Sequence, residues 1–284
     1  MNTNISDRNG RALEYCLSSY IIRADNYHLS NESILANSRD EAKFHSLPIN
    51  LQQSFKSAST RISKWIYKQL DGNQFVSVIR LTDSSSDPSD FLLAGDVKSL
   101  RISLKHNHEA LKHPRPYSFA QYCDYPKKST QDLFHRRAMK AIEVDFRARN
   151  QKASQFKDCP KVEIDRLYER VCQACDHSLS EWQKNDPYLA ERLFNFIVNN
   201  GFYKIIVPSD AYSPIKIQDY RNIVQPKTAH WSSLANRLIL NFDNSWKIDM
   251  RIHTASSRIG ETGTQLSLKF DAQKINGAVK EEVI

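Results

Sequence analysis

Apolar residues recur at steps of three and four in several stretches of the chain, which is the spacing of a helix with one buried face. Residues 49–70 follow this spacing almost ideally until Asp71-Gly72-Asn73 interrupts it. Residues 10–24 have the same spacing. The longer stretch 127–200 is also helical in pattern and opens with a capping box. The sequence therefore predicts two N-terminal helices and a helical middle section.

A different pattern, strict alternation of apolar and polar residues, runs from residue 100 to residue 105, where Leu, Ile and Leu alternate with Arg, Ser and Lys. Alternation is typical of a strand with one buried face. The turn-rich string 83–90 lies upstream of this strand. Further strands are predicted at residues 74–82, 202–208, 238–242, 246–253 and 266–271. The tail from Lys274 is expected to be loose.

The order of these elements is helix, helix, strands, helices, strands, with no internal repeat. This order indicates an α/β fold in which a mixed central sheet is flanked by helices. We expect one domain over residues 1–284, with residues 127–200 as a helical insertion within it.

The distribution of charge adds a candidate partner. The chain has 284 residues and a net charge of +8, from 40 Lys and Arg against 32 Asp and Glu. Residues 98–150 contain most of the excess, with twelve basic and five acidic residues. A concentrated basic segment is typical of proteins that bind a polyanion such as nucleic acid. A solvated basic surface is the alternative interpretation.

Several classes of protein are disfavoured by what the sequence lacks. No apolar run approaches the roughly 20 residues of a membrane-spanning helix, and the first residues do not have the pattern of a signal peptide. Five irregularly spaced cysteines suit a reducing compartment. We therefore expect a cytoplasmic protein without a membrane partner. Neither a Walker loop nor a GxGxxG loop occurs.

Candidate chemistry lies around the alternating strand. Asp96 precedes it and Lys105 lies near its end, and their side chains could converge if the chain bends at residues 97–99. A hard cation such as Mg²⁺ takes oxygen ligands, which Asp96, the Leu104 carbonyl and Glu14 could supply. Lys105 would then orient a water molecule beside a phosphodiester. The alternative is a surface strand with ordinary salt bridges.

Three groups of segments, taken in order along the chain, form one further pattern. They are residues 9–15, then 95–97 with 103–108 and 112–113, then 251–256 with 268–271. In the second group an aspartate, a gap and the triplet Ser103-Leu104-Lys105 follow one another. Together the segments resemble the HaeIII-type type II restriction endonucleases of the PD-(D/E)XK nuclease superfamily.

This resemblance implies a restriction-endonuclease-like fold and a Mg²⁺-dependent homodimer that cuts double-stranded DNA at a GGCC-like palindrome. It also implies catalytic roles for Asp96 and Lys105. Ser103 stands where the superfamily usually has Asp or Glu. A second carboxylate would then have to come from elsewhere, and Glu14 and Glu109 are the candidates.

DNA contacts are expected from two regions, residues 106–115 and residues 251–258. The segment 251–258 ends a predicted strand and is rich in hydrogen-bond donors, and an arginine there could read guanine in the major groove. Without the resemblance, the same segment would be interpreted as a surface loop. The expected DNA-binding residues are Arg251, His253, Ser256, Arg258, His106, His108, Lys112 and Arg115.

A single CxxC motif, Cys172 to Cys175, is a weak signal for zinc, and two ordinary cysteines in a helix are the alternative. The function expected from the sequence is a type II restriction endonuclease. A non-catalytic nucleic-acid-binding protein and a PD-(D/E)XK nuclease of DNA repair are the alternatives. Asp96 and Lys105 discriminate between catalysis and binding, because binding alone does not need both.

Overall fold

The computed structural model describes residues 5–82, 87–260 and 264–284. Its helices are α1 (Ile5–Ile21), α2 (Asn31–His45), α3 (Ile49–Gln69), α4 (Phe119–Tyr122), α5 (Thr130–Arg149), α6 (Lys161–Gln183) and α7 (Leu189–Ile197). Its strands are β1 (Tyr27–Leu29), β2 (Val76–Arg80), β3 (Phe91–Gly95), β4 (Ser99–His106), β5 (Tyr203–Val207), β6 (Lys216–Asp219), β7 (Ala229–Leu234), β8 (Arg237–Phe242), β9 (Lys247–Thr254), β10 (Leu268–Asn276) and β11 (Lys280–Val283). The protein is a mixed α/β protein.

The chain divides into two compact units. Unit 1 comprises residues 1–109, 199–223 and 279–284, and unit 2 comprises residues 110–198 and 224–278. The helical stretch predicted at 127–200 belongs mainly to unit 2, where α5, α6 and α7 occupy it. That unit also contains a sheet of its own. Whether the whole chain acts as one nuclease domain stays a prediction.

The sheet of unit 1 is mixed. Among the described residues, seven strands lie in the order β1-β2-β3-β4-β5-β6-β11. The strands β2, β3 and β4 form an antiparallel meander, whereas β4 and β5 are parallel, as are β1 and β2. A parallel pair needs a crossover connection, and the segment between β4 and β5 contains the helices of unit 2.

One face of this sheet is covered by α1 and α3. Leu13, Phe55 and Ile62 on these helices are fully buried, together with Val78 and Ile102 from the sheet. The periodicity that predicted both helices has its cause here, because every third or fourth residue faces the strands. The packing fixes α1 beside β4, which matters for the site described below.

The sheet of unit 2 is antiparallel throughout, in the order β10-β9-β8-β7. The predicted hairpin around Asp243-Asn244 is confirmed as β8 and β9. Aromatic contacts join this sheet to the helices of the same unit: Phe270 lies 5.8 Å from Phe119, and Phe242 lies 5.0 Å from Phe194, between ring centroids.

The predicted strand at 100–105 is confirmed as β4, and the helices at 10–24 and 49–70 are confirmed as α1 and α3. The expected loose tail is wrong. Strand β10 continues to Asn276, and β11 adds to the edge of the unit 1 sheet by pairing with β6. Both strands are short of apolar residues here, so their pattern alone does not predict them. The turn predicted at 83–90 lies partly outside the described residues.

None of the helices in the described part of the chain combines the length and the apolar character that crossing a bilayer requires.

Candidate functional site

An aspartate outside the predicted set, Asp90, lies beside the Ser103-Leu104-Lys105 triplet of β4. Its Oδ2 accepts a hydrogen bond of 2.6 Å from the backbone N–H of Leu104 and lies 3.5 Å from the Nζ of Lys105. The Ser103 hydroxyl lies 3.5 Å from the same oxygen. One carboxylate oxygen therefore faces all three residues of the triplet.

The backbone holds Asp90 in this position from both sides. Its N–H donates to the carbonyl of Ile102 at 2.7 Å, and its carbonyl accepts from the N–H of Leu81 at 2.9 Å. Strand β3 begins one residue later, at Phe91. The Asp90 side chain consequently takes the place that a strand partner of Leu104 would occupy.

The Leu104 carbonyl belongs to the same edge of β4. In an extended strand the N–H and C=O of one residue point to the same side, and the N–H of Leu104 points to Asp90. The expected role of the Leu104 carbonyl as an oxygen ligand is therefore compatible with the geometry, with Asp90 as its neighbour in place of Asp96.

Glu14 projects from α1 and is nearly buried, with 7% of its surface exposed. Its Oε2 accepts from Arg11 at 3.1 Å and from the buried Arg80 at 2.7 Å. Burial raises the pKa of Glu14, and the negative charge of Asp90 raises it further. The two carboxylates therefore interact electrostatically, and a cation placed between them would relieve their repulsion.

Arg80 links Glu14 to a second buried acid, Asp40, at 2.7 Å. Burial works to raise the pKa of Asp40, but hydrogen bonds from Arg39, Lys43 and Arg80 hold it well below its usual range. A cavity of about 550 Å³ opens beside this network and is lined by Glu14 and Arg80.

The structure does not bring Asp96 to Lys105, so their expected convergence is wrong. Asp96 lies in the turn between β3 and β4, where its Oδ1 accepts from the backbone N–H groups of Gln74 and Phe75 at 3.1 and 3.4 Å. Lys105 lies at the other end of β4, six residues past Ser99, or about 20 Å along the strand. A tight turn closed by Gly95 and Lys98 takes the place of the expected bend.

The sequence contains a signal for Asp90. Pro88-Ser89-Asp90 places an acid directly before a strand, but the surrounding Ser and Asp residues made the segment look like a turn. Which of two nearby acids lies beside the lysine depends on the register of the β3–β4 pair. Phe91 pairs with Ile102, and this register selects Asp90.

The choice between Glu14 and Glu109 as the second carboxylate is also informed by position. Glu109 forms an ion pair of 2.7 Å with Lys216 on β6, beyond β5 from the edge of β4 that faces Asp90. The negative charge of Asp90 raises the pKa of Glu14, which indicates that these two carboxylates interact. Ser103 itself is buried, with 1% exposure, and its hydroxyl faces Asp90.

No cluster of three or more His, Cys, Asp or Glu side chains that could hold a metal ion occurs in residues 5–82, 87–260 and 264–284. Any cation at this site would therefore have to combine two carboxylates with other oxygens. Mg²⁺ accepts this arrangement, because it usually keeps several waters and binds proteins through one or two carboxylates.

The two predicted histidines after the triplet differ in their surroundings. The ring of His106 packs edge-on against Phe55 at 5.0 Å, and burial lowers its pKa. Its Nε2 lies 3.4 Å from the Ser209 hydroxyl. His108 is half-buried in the segment that follows β4. The packing of His106 gives it a structural role in unit 1.

The predicted DNA-binding residues of unit 2 fall into two groups. Lys112 is engaged in packing, since its Nζ donates to the Phe196 carbonyl at 2.8 Å and lies over the Phe196 ring. The other group is exposed or half-exposed on strand β9 and in loops of the same unit. This group contains Arg115, Arg251, His253, Ser256 and Arg258.

Cys172 and Cys175 are both fully buried in α6. Burial raises the pKa of the Cys172 thiol to about 12, so the thiolate that zinc binding needs is disfavoured. Their surroundings are those of ordinary apolar helix residues.

Comparison of the chain with known protein families, with curated proteins and with solved structures gives no match.

Proposed function

We propose that this protein is a Mg²⁺-dependent endonuclease that hydrolyses phosphodiesters in double-stranded DNA. The observation that carries the proposal is the position of Asp90, whose carboxylate bonds to the Leu104 N–H and lies 3.5 Å from the Lys105 ammonium. An acid, a strand carbonyl and a lysine on β4 and beside it are three of the groups that the PD-(D/E)XK resemblance implies, and Glu14 is the candidate for the second carboxylate. The mixed sheet of unit 1 is compatible with that resemblance.

The donor set fits a magnesium ion. Asp90 and Glu14 would supply carboxylate oxygens, and the Leu104 carbonyl would supply a neutral oxygen. Among the described residues, Oδ1 of Asp90 accepts no hydrogen bond, so it is available as a ligand. When bound, the cation would polarise the phosphate and ease the formation of hydroxide.

Lys105 would contribute a positive charge that does not depend on the metal. Its side chain is 24% exposed, so it can reach a phosphate oxygen while Asp90 orients it. A preorganised cation at this position stabilises the charge that develops on the phosphate. Glu14 is held by Arg11 and Arg80, so its carboxylate keeps one orientation.

The narrower proposal is a type II restriction endonuclease that acts as a homodimer on a short GC-rich, GGCC-like palindrome. The sequence resemblance supports it, and a palindrome matches the two-fold symmetry of a dimer. A PD-(D/E)XK nuclease of DNA repair would use the same catalytic groups, and a non-catalytic nucleic-acid-binding protein would use only the basic surfaces.

Digestion of a supercoiled plasmid tests these alternatives. With Mg²⁺ we expect discrete fragments, and with EDTA none. Sequencing of the fragment ends then gives the recognition bases and the cut position. Unspecific smearing would support a repair nuclease over restriction. Binding without any cleavage in Mg²⁺, Mn²⁺ or Co²⁺ would rule out the nuclease proposal.

A further inference from the structure

The sheet of unit 2 has one apolar and one polar face. Leu238, Met250 and Phe270 are buried on the apolar face, which packs against the helices of the unit. Alternate residues of a strand point to the opposite side. We call this polar side the open face, and its members include Arg237, Lys247, Asp249, Arg251, His253, Lys269 and Asp271.

Basic residues lie directly opposite one another across the strands of the open face. Arg237 on β8 pairs in register with Arg251 on β9. His253 on β9 pairs in register with Lys269 on β10. Like charges in directly opposed positions destabilise a sheet. The Arg237–Arg251 pair is such a case, and Asp271 lies directly opposite Arg251 on its other side.

The two acids of the open face are already engaged. Asp249 forms an ion pair with Arg237. Asp271 is shared by two imidazoles, with its Oδ1 2.6 Å from His113 Nδ1 and its Oδ2 2.9 Å from His253 Nε2. Within the described residues, neither carboxylate forms an ion pair with Arg251 or Lys269.

Arg251 and Lys269 are therefore the cations of this face that form no ion pair within the described residues, although Asp271 lies opposite Arg251 in the sheet. Arg251 is exposed and lies on β9, an inner strand of the sheet, whereas Lys269 is half-exposed on the edge strand β10. Lys247, at the start of β9, is exposed on the same face. The face thus combines a four-stranded surface with a surplus of positive charge.

We propose that the open face of unit 2 is a docking surface for double-stranded DNA, with Arg251 and Lys269 as its principal cations. The choice of DNA as the polyanion rests on the proposed function. A strand surface can approach the groove of a duplex, and Lys and Arg neutralise phosphates with release of counterions. Asp271 holds His113 and His253 in place beside these cations.

The test measures binding of a fluorescent 30-base-pair duplex to the full chain without divalent metal, at two salt concentrations. The double variant Arg251→Ala/Lys269→Ala should bind about tenfold or more weakly, and its salt slope should fall by about two, one for each lost phosphate contact. The charge-preserving variant Arg251→Lys/Lys269→Arg should retain the slope, which separates loss of charge from loss of folding.

The matched control is Lys161→Ala/Lys184→Ala, which removes two exposed lysines of α6 and its C-terminal end in the same unit. Its affinity should stay within about twofold of the wild-type value, since these lysines lie outside the open face. Equal affinity of the two double variants would overturn the inference. So would absence of duplex binding by the wild-type chain, or tighter binding of single-stranded RNA than of duplex DNA.

The outcome is separable from that of the nuclease proposal. An Asp90→Asn variant should bind the duplex as the wild type does. If the chain binds DNA through Arg251 and Lys269 but never cleaves it, the docking surface stands and the nuclease proposal fails. If the chain cleaves DNA but the double variant binds with wild-type affinity, the nuclease proposal stands and the docking surface fails.

Discussion

The Asp90 carboxylate and the Lys105 ammonium lie 3.5 Å apart across the β3–β4 pair, and the same carboxylate oxygen caps the N–H of Leu104. This relationship makes the place where β3 begins beside β4, two inner strands of the unit 1 sheet, the candidate active centre. It also separates two aspartates that look equivalent in the sequence, Asp90 and Asp96.

Replacing these two aspartates should affect the cleavage rate very differently. Asp90→Asn should lower the cleavage rate by at least about 100-fold, because a group that acts on the transition state is lost. Asp96→Asn should cut at the wild-type rate, since its carboxylate only accepts from the backbone of Gln74 and Phe75. Initial cleavage rates on a cognate duplex measure both effects. A severe loss of cleavage rate in Asp96→Asn would instead place the active centre at the turn between β3 and β4.

Lys105→Ala should abolish detectable cleavage while the variant still binds DNA, because most of the affinity comes from phosphate contacts elsewhere. Lys98→Ala, in the turn that precedes the same strand, is the matched control and should cut normally. Gel-shift and cleavage assays on one preparation give both quantities. Normal cutting by Lys105→Ala would exclude it from the mechanism.

On acidification, the cleavage rate should fall at a pH above the ordinary pKa range of glutamate; this fall is the acid limb of the pH–rate profile. Burial and Asp90 raise the pKa of Glu14, so its ionised, metal-binding form is lost at a higher pH as the solution is acidified. Arg11 lowers this pKa, so Arg11→Met should move the limb to still higher pH. Arg23→Met, at an exposed position of unit 1, is the control. If Arg11→Met leaves the acid limb at the wild-type pH, the ionisation of Glu14 does not control the cleavage rate.

Arg80→Met should destabilise the protein by about 3–5 kcal/mol, because it leaves the buried Glu14 and Asp40 without their shared partner. The Arg80 side chain is 2% exposed, whereas that of Arg39, which also pairs with Asp40, is 61% exposed. Arg39→Met should therefore cost no more than about 1 kcal/mol. Urea unfolding of both variants tests the contrast, and similar losses would show that the buried network is not what stabilises this region.

The cysteines should be unreactive in the folded protein. All five are buried and unpaired, and burial raises the pKa of Cys172 to about 12. Iodoacetamide should modify them only after denaturation, as measured by intact mass, and a zinc chelator should leave the melting temperature unchanged. Rapid labelling of the native chain would contradict the buried environment.

The sequence by itself determined the elements whose pattern reflects burial on one side. Helices α1 and α3 and strand β4 have a spacing that any packed core imposes on its residues, and the triplet Ser103-Leu104-Lys105 was recognisable from its order. Local pattern does not predict strands with little apolar content, so β11 is not predicted and the sequence indicates a loose tail.

Only the tertiary structure decided which acid meets Lys105. Side-chain alternation gives the face of a strand, but the partner across a sheet depends on register, which the turn at residues 95–98 and the pairing of Phe91 with Ile102 fix together. The proximity of Glu14 to Asp90 depends in turn on the packing of α1 against the sheet. The opposed cations of the open face follow from the register of β8, β9 and β10, since residues far apart in the chain become neighbours only when strands pair.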